Sequence, residues 1–459
     1  YRLENRSAAP IAEVHVRWEL NLQMRELALD GATLEKDHGD FHYRIYRLAT
    51  PMQPGEARTV RFETLLEERG FTNGQPLVRI VANGSFLDNS EITPYIGMER
   101  RALLQDRAKR RKHGLSPDLR MAKLEDDGAR GHQYVRHDSD WVNADLTLTT
   151  DADQTPVAPG VALSDTVENG RRTLHSRTEA PIQHFFSVQS ARYAMQKASV
   201  MGADGQPVAL TVYHHPGHEH NVPLMLKSMQ ASIALFGERF GPYQFKQARI
   251  IEFPSYAGFA QAFAGTMPYS EAIGFVQDHR DDDKVDQVTY VTAHEMAHQW
   301  WAHQVIGADM QGSTLLSESF AQYSAMRVME QMYGAPMMRK FLKVELDRYL
   351  RARGSEVIEE LPLARVENQA YIHYEKGALA MWWAKEAMGA DVVDRALQRL
   401  VRQYAFKPAP YPTSRDFLTL LREEAGPAHE QLITDLFEKI TLYDMQASEA
   451  TATKRPDGR

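Results

Sequence analysis

Two histidines and a glutamate in one short run are the residues of this chain best suited to chemistry. His294 and His298 are four positions apart, so on a helix their imidazoles lie one above the other and can reach the same metal ion. Glu295 is one step round the helix and could act as a general base toward a water molecule beside that metal. The competing interpretation is that both histidines are buried core residues, so a third ligand decides between the two.

A third ligand is expected because catalytic zinc sites use three protein side chains and keep one position open for water. A second helix is predicted from about residue 315 to the stop signals near residue 334, and Glu318 lies on its first turn. A carboxylate there could reach the motif helix if the two helices pack together. Asp309, in the presumed connecting loop, and Glu330, much further along the second helix, are alternatives that fit less well.

The amino-acid composition excludes several classes of metal ligand, nucleophile and binding partner. The 459 residues include no cysteine, which excludes disulfides, thiol nucleophiles and cysteine-bound metals, so any metal must be held by His, Asp or Glu. A net charge of -8 gives no indication of a nucleic-acid partner. No apolar run approaches the length of a membrane helix, and the chain begins at Tyr1 without a signal-like segment. We therefore expect a soluble piece of a longer protein.

The elements that position these residues change character along the chain. Residues 1–204 contain runs of alternating apolar and polar side chains between turn signals, which predicts an antiparallel sheet domain. Helical periodicity dominates further on, so residues 205–449 are predicted to form the domain that carries the metal motif. The polar residues 450–459 are predicted to be a disordered tail.

Two polar tracts could suggest further sites. The basic run Arg107–Lys112 belongs to a polar stretch that reaches about residue 133, and a solvated loop insertion is favoured over a phosphate- or lipid-binding patch. The histidine-rich tract His214–His220 could suggest a second metal, but it has no fixed ligand spacing, which favours a solvated loop. His303, five residues after His298, leaves the ligand face and is interpreted as a structural or supporting residue.

Three short motifs give the chain a resemblance to a known family. The runs His294–Trp300, Ser317–Ala321 and Tyr374–Gly377 resemble, in order and rough spacing, motifs of the aminopeptidase N family of gluzincins, which includes leukotriene hydrolase. In detail the chain looks most similar to the peptidase-like domains fused to bacterial ABC-transporter permeases. The resemblance implies a multidomain α+β protein, in which an N-terminal antiparallel β-saddle or sandwich domain precedes a thermolysin-like, mainly α-helical catalytic domain.

The resemblance also implies roles by position. It implies that His294, His298 and Glu318 bind one Zn²⁺ per chain. It further implies that Glu295 is the general base and that Tyr374 is the phenol that stabilises the oxyanion. The residue types suit these roles, because a carboxylate can carry a proton from water to the leaving amine and a phenol can donate to developing charge. The segment between His298 and Glu318 is one residue longer than the family usually has, which a loop can absorb.

One departure from the family concerns substrate recognition. Most members carry Gly-Ala-Met-Glu-Asn, whose Glu binds the free amine of the substrate, and the aligned run here is Phe259–Phe263. The amine-binding carboxylate falls on Ala262, and the neighbouring Gln261 carries no charge, so recognition of an ammonium group should be weaker. Glu271, which aligns with another acidic residue of the family, is the candidate to compensate.

These expectations favour a zinc-dependent metallopeptidase, either aminopeptidase-like or, given Ala262, an endopeptidase. The alternative is a peptidase-like module that binds a peptide and regulates a membrane transporter without cutting. A peptide is the expected substrate or ligand, nucleic acid is not expected, and tethering to a membrane permease on the extracytoplasmic side is the expected context. The sequence leaves open the side-chain preference, the oligomeric state and the arginine that would bind a substrate carboxylate.

Overall fold

The computed structural model describes residues 1–68, 79–98, 102–278, 284–356, 358–442 and 451. The predicted disordered tail, residues 450–459, lies outside these residues apart from residue 451. Within the described chain, strands dominate up to residue 214 and helices dominate from residue 222 onward. This is the predicted fold class, a β-rich N-terminal part followed by a mainly helical part.

Short strands separated by turns make up the N-terminal part. In the strand Ile11–Arg17, Val14 and Val16 are buried while their neighbours are half-exposed, as the period-2 pattern of the sequence predicts. The strands are β1 Arg2–Glu4, β2 Ile11–Arg17, β3 Leu22–Leu29, β4 Ala32–His38, β5 Tyr43–Met52, β6 Ala57–Leu66, β7 Ser85–Asp88, β8 Tyr95–Ile96, β9 Trp141–Val142, β10 Asp145–Asp151, β11 Thr155–Val157, β12 Val161–Glu168, β13 Arg171–Arg177, β14 Ile182–Gln183 and β15 Ser187–Ala191. Two short helices accompany them, α1 Asn89–Ile92 and α2 Arg107–Lys112.

These strands form small sheets in which every described pair is antiparallel. The strand orders are β1-β6-β3, β4-β5-β2-β8, β11-β15-β7, β10-β13-β12 and β14-β9. Apolar side chains from the first two of these sheets pack into one core cluster, which consists of Val14, Val16, Leu29, Tyr46, Leu48, Met52 and Val60.

A four-stranded sheet opens the second part of the chain. Its strands, in spatial order, are β16 Ala194–Met201, β17 Pro207–His214, β18 Gln247–Phe253 and β19 Thr266–Ser270. Strands β17, β18 and β19 run parallel, and β16 is antiparallel to β17. The sequence predicts a domain boundary between residues 204 and 205, which is the turn of the β16–β17 hairpin. Because β16 pairs with β17 along its whole length, strand pairing favours a boundary before Ala194.

Helices build the rest of the second part. They are α3 Val222–Arg239, α4 Gln287–Ala297, α5 Phe320–Tyr333, α6 Ala335–Arg353, α7 Gly377–Met388, α8 Ala390–Tyr404, α9 Ser414–Ala425 and α10 Glu430–Ile433. Helix α4 packs against both α3 and α5, and apolar side chains on it, such as Val288, Ala293 and Met296, belong to the large core of this part. Among the described helices, none has the length and apolar content required to cross a membrane.

The basic helix α2 is mostly exposed, as predicted for a solvated insertion, but the end of the polar stretch that follows it is packed against the protein. Residues 120–137, which we call the crossing segment, lie against the helical part, and Leu124 within the segment is buried. Arg120 forms a bidentate ion pair with Glu367 at 2.7 and 3.0 Å, and the Tyr134 hydroxyl donates to Asn368 at 2.7 Å. Backbone bridges also join the crossing segment to residues 308 and 310. Its polar side chains reflect polar partners on the other part of the chain, which the local sequence does not reveal.

Candidate metal centre and active site

Helix α4 supplies three of the candidate residues. Asp286 caps its N-terminus, where the carboxylate accepts a hydrogen bond from the Thr289 N–H at 3.0 Å. His294 and Glu295 lie in its last turns, and His298 is the residue at which the helix ends. All three side chains are buried, so the helix presents them to the protein interior rather than to bulk solvent.

The structure brings Glu318 to the two histidines. Glu318 lies on a π-helical turn, Leu315–Ser319, that leads into α5. The Nε2 atoms of His294 and His298 are 3.0 Å apart, and Glu318 Oε2 is 3.3 Å from each of them. Single π turns are frequent at functional sites, and here one carries the carboxylate that meets both imidazoles.

The spacing of these three atoms fits a tetrahedral metal ion. Ligand atoms that are each about 2.0–2.2 Å from a zinc ion lie about 3.3 Å from one another. His298 Nδ1 donates to the Trp301 carbonyl oxygen at 3.0 Å, which leaves Nε2 free as a ligand. Glu318 Oε2 is buried and has no hydrogen-bond partner among the described residues. Two imidazoles and one carboxylate are a donor set that zinc accepts, so the residues fit a catalytic zinc ion.

The charges in this pocket also favour a cation. Burial alone would lower the pKa of His298, but the adjacent Glu318 carboxylate outweighs burial and raises that pKa to about 9. Burial alone would raise the pKa of Glu318, yet His298 and His294 hold it well below its ordinary value. Burial raises the pKa of Glu295. The pocket therefore keeps the Glu318 carboxylate ionised next to the His298 imidazole, an environment that favours a cation.

Tyr374 reaches the same cluster from a third element. It lies on the π turn Ile372–Lys376, which leads into α7. Its ring centroid is 5.9 Å from that of His294, and its hydroxyl lies beside the Glu318 carboxylate. Burial, and then the Glu318 carboxylate, raise the pKa of Tyr374 above its ordinary value, so the phenol keeps its proton at neutral pH.

A β-hairpin borders Glu295. Residues 259–263 pair antiparallel with β19 to form this hairpin. The Ala262 N–H donates to the Glu295 carboxylate, and the Ala262 carbonyl accepts a hydrogen bond from His303 Nε2 at 3.1 Å. His303 thus supports the hairpin, in line with its interpretation as a supporting residue, while the backbone of Ala262 contacts the candidate base.

The three residues predicted to bind substrate occupy different surroundings. Ala262 is buried, and Gln261 beside it is half-exposed with its side-chain amide 3.5 Å from the Ala262 carbonyl oxygen. Glu271 instead accepts hydrogen bonds from the Ser255 N–H at 2.9 Å and the Ser255 hydroxyl at 2.6 Å. Its other oxygen faces His218, so Glu271 belongs to a second group of side chains and not to the metal ligands.

The two alternative third ligands are engaged elsewhere. Asp309 pairs with His137 of the crossing segment at 2.7 Å. Glu330 pairs with Lys385 of α7 at 2.6 Å. Neither carboxylate is grouped with the motif histidines among the described residues, which leaves Glu318 as the one that meets them.

Two residues near the site escaped the sequence reasoning. Gln299 accepts a hydrogen bond from the Gly265 N–H at 2.8 Å and donates to the Phe263 carbonyl at 3.0 Å, so it fixes the turn of the hairpin. The sequence feature that could have indicated Gln299 is its position directly after the candidate ligand His298. Tyr134 of the crossing segment lies close enough to affect the pKa of Tyr374. No local signal could have found it, because it comes from the other part of the chain.

Comparisons with known proteins agree with this geometry. Residues 225–439 match the model of the peptidase family M1 domain. This stretch is similar to the peptidase family M1 domain. The matched residues include α4 with its motif, the π turn with Glu318 and the π turn with Tyr374, so the clustered side chains all lie within the matched stretch.

The curated relatives are distant and longer than this chain. Aminopeptidase M1-B of Oryza sativa subsp. japonica is 22% identical over 324 residues, which cover 66% of this chain and 36% of the relative. Aminopeptidase M1 of Arabidopsis thaliana is 25% identical over 252 residues, which cover 52% of this chain and 28% of the relative. The chain thus spans about a third of the length of these relatives.

Solved structures share the fold over nearly the whole chain. A mutant M1 zinc metallopeptidase from Deinococcus radiodurans, bound to a Tyr-Ser-Ala substrate, has a TM-score of 0.62 at 19% identity. That match covers 95% of this chain and 88% of the other. A second structure of M1 zinc metallopeptidase from the same organism has a TM-score of 0.60 at 19% identity, covering 96% of this chain and 89% of the other. The matches establish the shared architecture, a β-rich part followed by a helical part.

Proposed function

We propose that this chain is a zinc-dependent metallopeptidase that hydrolyses peptide bonds. The observation that carries the proposal is the set of three ligand atoms 3.0–3.3 Å apart, with Glu295 and Tyr374 beside them. The M1 relatives are described as aminopeptidases and the structural neighbours as zinc metallopeptidases, which supports zinc and peptide substrates for this chain as well.

Each residue has a distinct part in the proposed reaction. A zinc ion held by His294, His298 and Glu318 would supply Lewis-acid activation of the attacking water and the scissile carbonyl. Glu295 accepts the proton of that water and passes it to the leaving amine, while the Ala262 N–H holds its carboxylate in place.

Tyr374 acts on the other reacting group. Its phenol donates a hydrogen bond to the oxyanion that forms from the scissile carbonyl, which stabilises charge that is absent from the substrate.

The hairpin offers a place for an extended peptide. The Phe259 carbonyl accepts a hydrogen bond from the Ser270 N–H, and the Gln261 N–H donates to the Pro268 carbonyl, so the N–H and carbonyl of Ala260 between them point away from β19. Among the described residues, the Ala260 backbone groups have no partner in the hydrogen bonds of the hairpin. We propose that a substrate adds to this edge as a further strand, a mode in which main-chain hydrogen bonds supply affinity.

Selectivity for free N-termini should be weak. The position of the family's amine-binding carboxylate is Ala262, whose methyl group is buried and uncharged. Because Glu271 is held by Ser255 and faces His218, it is not placed with the metal ligands to take over that role. We therefore propose that N-blocked peptides are substrates alongside free ones.

A second candidate function is a peptidase-like module that binds peptides and serves a membrane permease on the extracytoplasmic side. Ala262 is the observation that favours this alternative, because a missing amine anchor suits binding without exopeptidase turnover. The presence of Glu295 and Tyr374 next to the ligands favours catalysis, since a module that only binds has no chemical need for a base or an oxyanion donor.

The deciding experiment compares the chain with its Glu295→Gln variant, which keeps the shape of the side chain but removes the base. Zinc content, hydrolysis of aminoacyl arylamides and hydrolysis of N-blocked peptides are measured for both. We expect about one zinc ion at this site in each protein and a loss of turnover of at least about 10²-fold in the variant. If the wild-type chain binds zinc but cleaves no peptide, the proposed peptidase activity is refuted and the peptide-binding module is favoured. If only substrates with a free N-terminus are cleaved, the proposal that N-blocked peptides are also substrates is refuted.

A further inference from the structure

A second group of metal-binding side chains meets at one edge of the β16–β19 sheet. Because β17, β18 and β19 run parallel, their carboxyl ends lie side by side. His218 follows the end of β17, Glu252 is the penultimate residue of β18, and Glu271 comes directly after β19. One ligand atom from each of the three residues lies within 4.8 Å of the other two. We call these three residues the sheet-edge cluster.

Each carboxylate of the sheet-edge cluster is held by one oxygen and offers the other. Glu252 Oε2 accepts a hydrogen bond from the His215 N–H at 2.5 Å, and Glu271 Oε1 accepts two from Ser255. The remaining oxygens face the same imidazole nitrogen, with Glu252 Oε1 at 2.5 Å and Glu271 Oε2 at 4.0 Å from His218 Nδ1. Supporting hydrogen bonds of this kind orient the first-shell ligands of metal sites.

The sheet-edge cluster is short of positive charge. Glu252 is fully buried, and a buried carboxylate must be paired or neutralised. Within the described residues, the ion pairs of Glu252 and Glu271 are both with His218. One imidazole carries at most one positive charge and cannot balance two carboxylates, which repel each other. The neighbouring His215 adds little, because burial lowers its pKa. An ordinary His–Glu pair therefore explains Glu252 but not the orientation of Glu271 toward the same nitrogen.

We propose that the sheet-edge cluster is a second metal site, which binds a divalent transition-metal ion through His218, Glu252 and Glu271. One imidazole and two carboxylates suit zinc and its first-row neighbours. The side chains of His218 and Glu271 are 31% and 24% exposed, so the ion can enter from solvent and exchange. Residues 215–220 form a mostly exposed loop, as predicted, and the assignment adds His218 of this loop as a metal ligand.

The proposed ion has a structural consequence for the active site. Glu252 and Glu271 stand at the two ends of the segment that contains the hairpin, and the hairpin backbone contacts Glu295 at Ala262. An ion bound to both glutamates joins the two ends of that segment. We expect metal at this site to protect residues 253–270 from local opening, a change that hydrogen exchange measures. The site itself does not depend on the proposed peptidase activity.

Metal counting separates the two sites. The tag-free chain and its variants are dialysed against metal-buffered zinc, and the bound zinc is measured by mass spectrometry. We expect about two zinc ions per chain in the wild type, and about one in either His218→Ala or Glu271→Gln, because removing one ligand should weaken binding at least about tenfold. His220→Ala, which changes an exposed histidine two residues further along, is the matched control and should retain both ions.

The His294→Ala variant makes the outcomes distinguishable. It should lose the zinc ion bound by His294, His298 and Glu318 and keep the ion of the sheet-edge cluster. Co²⁺ added to this variant should still give visible absorption bands. These bands should be absent from the double variant that carries both His294→Ala and His218→Ala. One zinc ion in the wild type that His218→Ala leaves in place would overturn the second site. If only His294→Ala lowers the zinc content, the second site is refuted and the proposed peptidase site stands. If only His218→Ala lowers it, the second site stands and zinc binding at the proposed peptidase site is refuted.

Discussion

Replacing Glu345 by glutamine should remove this residue's contribution to the pH dependence of the protein's stability. Glu345 lies on α6, and its side chain is fully buried. One oxygen accepts a hydrogen bond from Arg348 at 3.3 Å, and the other has no partner among the described residues. Burial raises the pKa of Glu345 to about 7, and the neighbouring Glu375 adds to the effect against the opposing pull of Arg348.

The size and sign of the effect follow from this pKa. Below pH 4.5 the Glu345 carboxyl is protonated in both the folded and the unfolded chain, so its ionisation costs nothing. As the pH rises from 4.5 to about 7, the unfolded chain releases the proton while the folded chain keeps it, and the folded state loses stability. Between a pKa of 4.5 in the unfolded chain and about 7 in the folded chain, the loss amounts to about 3 kcal/mol.

Glutamine keeps the shape of the side chain but cannot ionise. We expect Glu345→Gln and the wild type to differ little at about pH 4.5, and the variant to be more stable by about 3 kcal/mol at about pH 8. Urea unfolding followed by circular dichroism at both pH values measures the difference. Glu238→Gln on α3, at a side chain that is 70% exposed, is the control and should show no such change. An equal stability difference between Glu345→Gln and wild type at the two pH values would refute the reasoning.

Three further predictions concern the candidate site. Tyr374→Phe should lower kcat by about 10²–10³-fold with zinc content unchanged, because only a donor to developing charge is lost; a fall in zinc content would instead make Tyr374 a metal-binding residue. Glu318→Gln should weaken zinc binding at least about tenfold in competition with a chromogenic chelator, whereas Asp309→Asn should not, and equal losses would contradict the ligand assignment. His303→Leu should lower kcat about tenfold through the lost hydrogen bond to the Ala262 carbonyl, with recovery in His303→Gln; the same kcat in all three proteins would exclude a positioning role.

The grouping of the candidate metal ligands could be predicted from the sequence because their geometry is mostly local. The i and i+4 spacing of His294 and His298 needs only a helix to bring the two imidazoles together. Glu318 needed one further assumption, that the next helix packs on the first, and the structure shows α5 against α4. The π turn that carries Glu318 could not be predicted, since a single wider turn leaves no mark on the hydrophobic period.

Features that depend on strand pairing or on distant partners could not be predicted. The turn at residues 202–205 has the same local sequence character whether it separates two domains or joins two strands of one sheet. In the same way, the polarity of the crossing segment is compatible with solvent or with partners such as Glu367. The carboxylates that face His218 likewise come from the ends of two other strands, so the sequence of the histidine tract does not reveal them.

At Ala262 the main chain contacts the candidate catalytic residues, whereas the side chain concerns substrate specificity. The contacts that matter to Glu295 and His303 are made by the main-chain N–H and carbonyl at this position, and any residue type provides them. The resemblance to the family implies a carboxylate at this position, and the two main-chain hydrogen bonds do not require one. The hairpin can therefore position the base while the family's usual amine anchor is absent. For this reason the missing anchor weakens the case for strict aminopeptidase activity and leaves the case for peptide-bond hydrolysis unchanged.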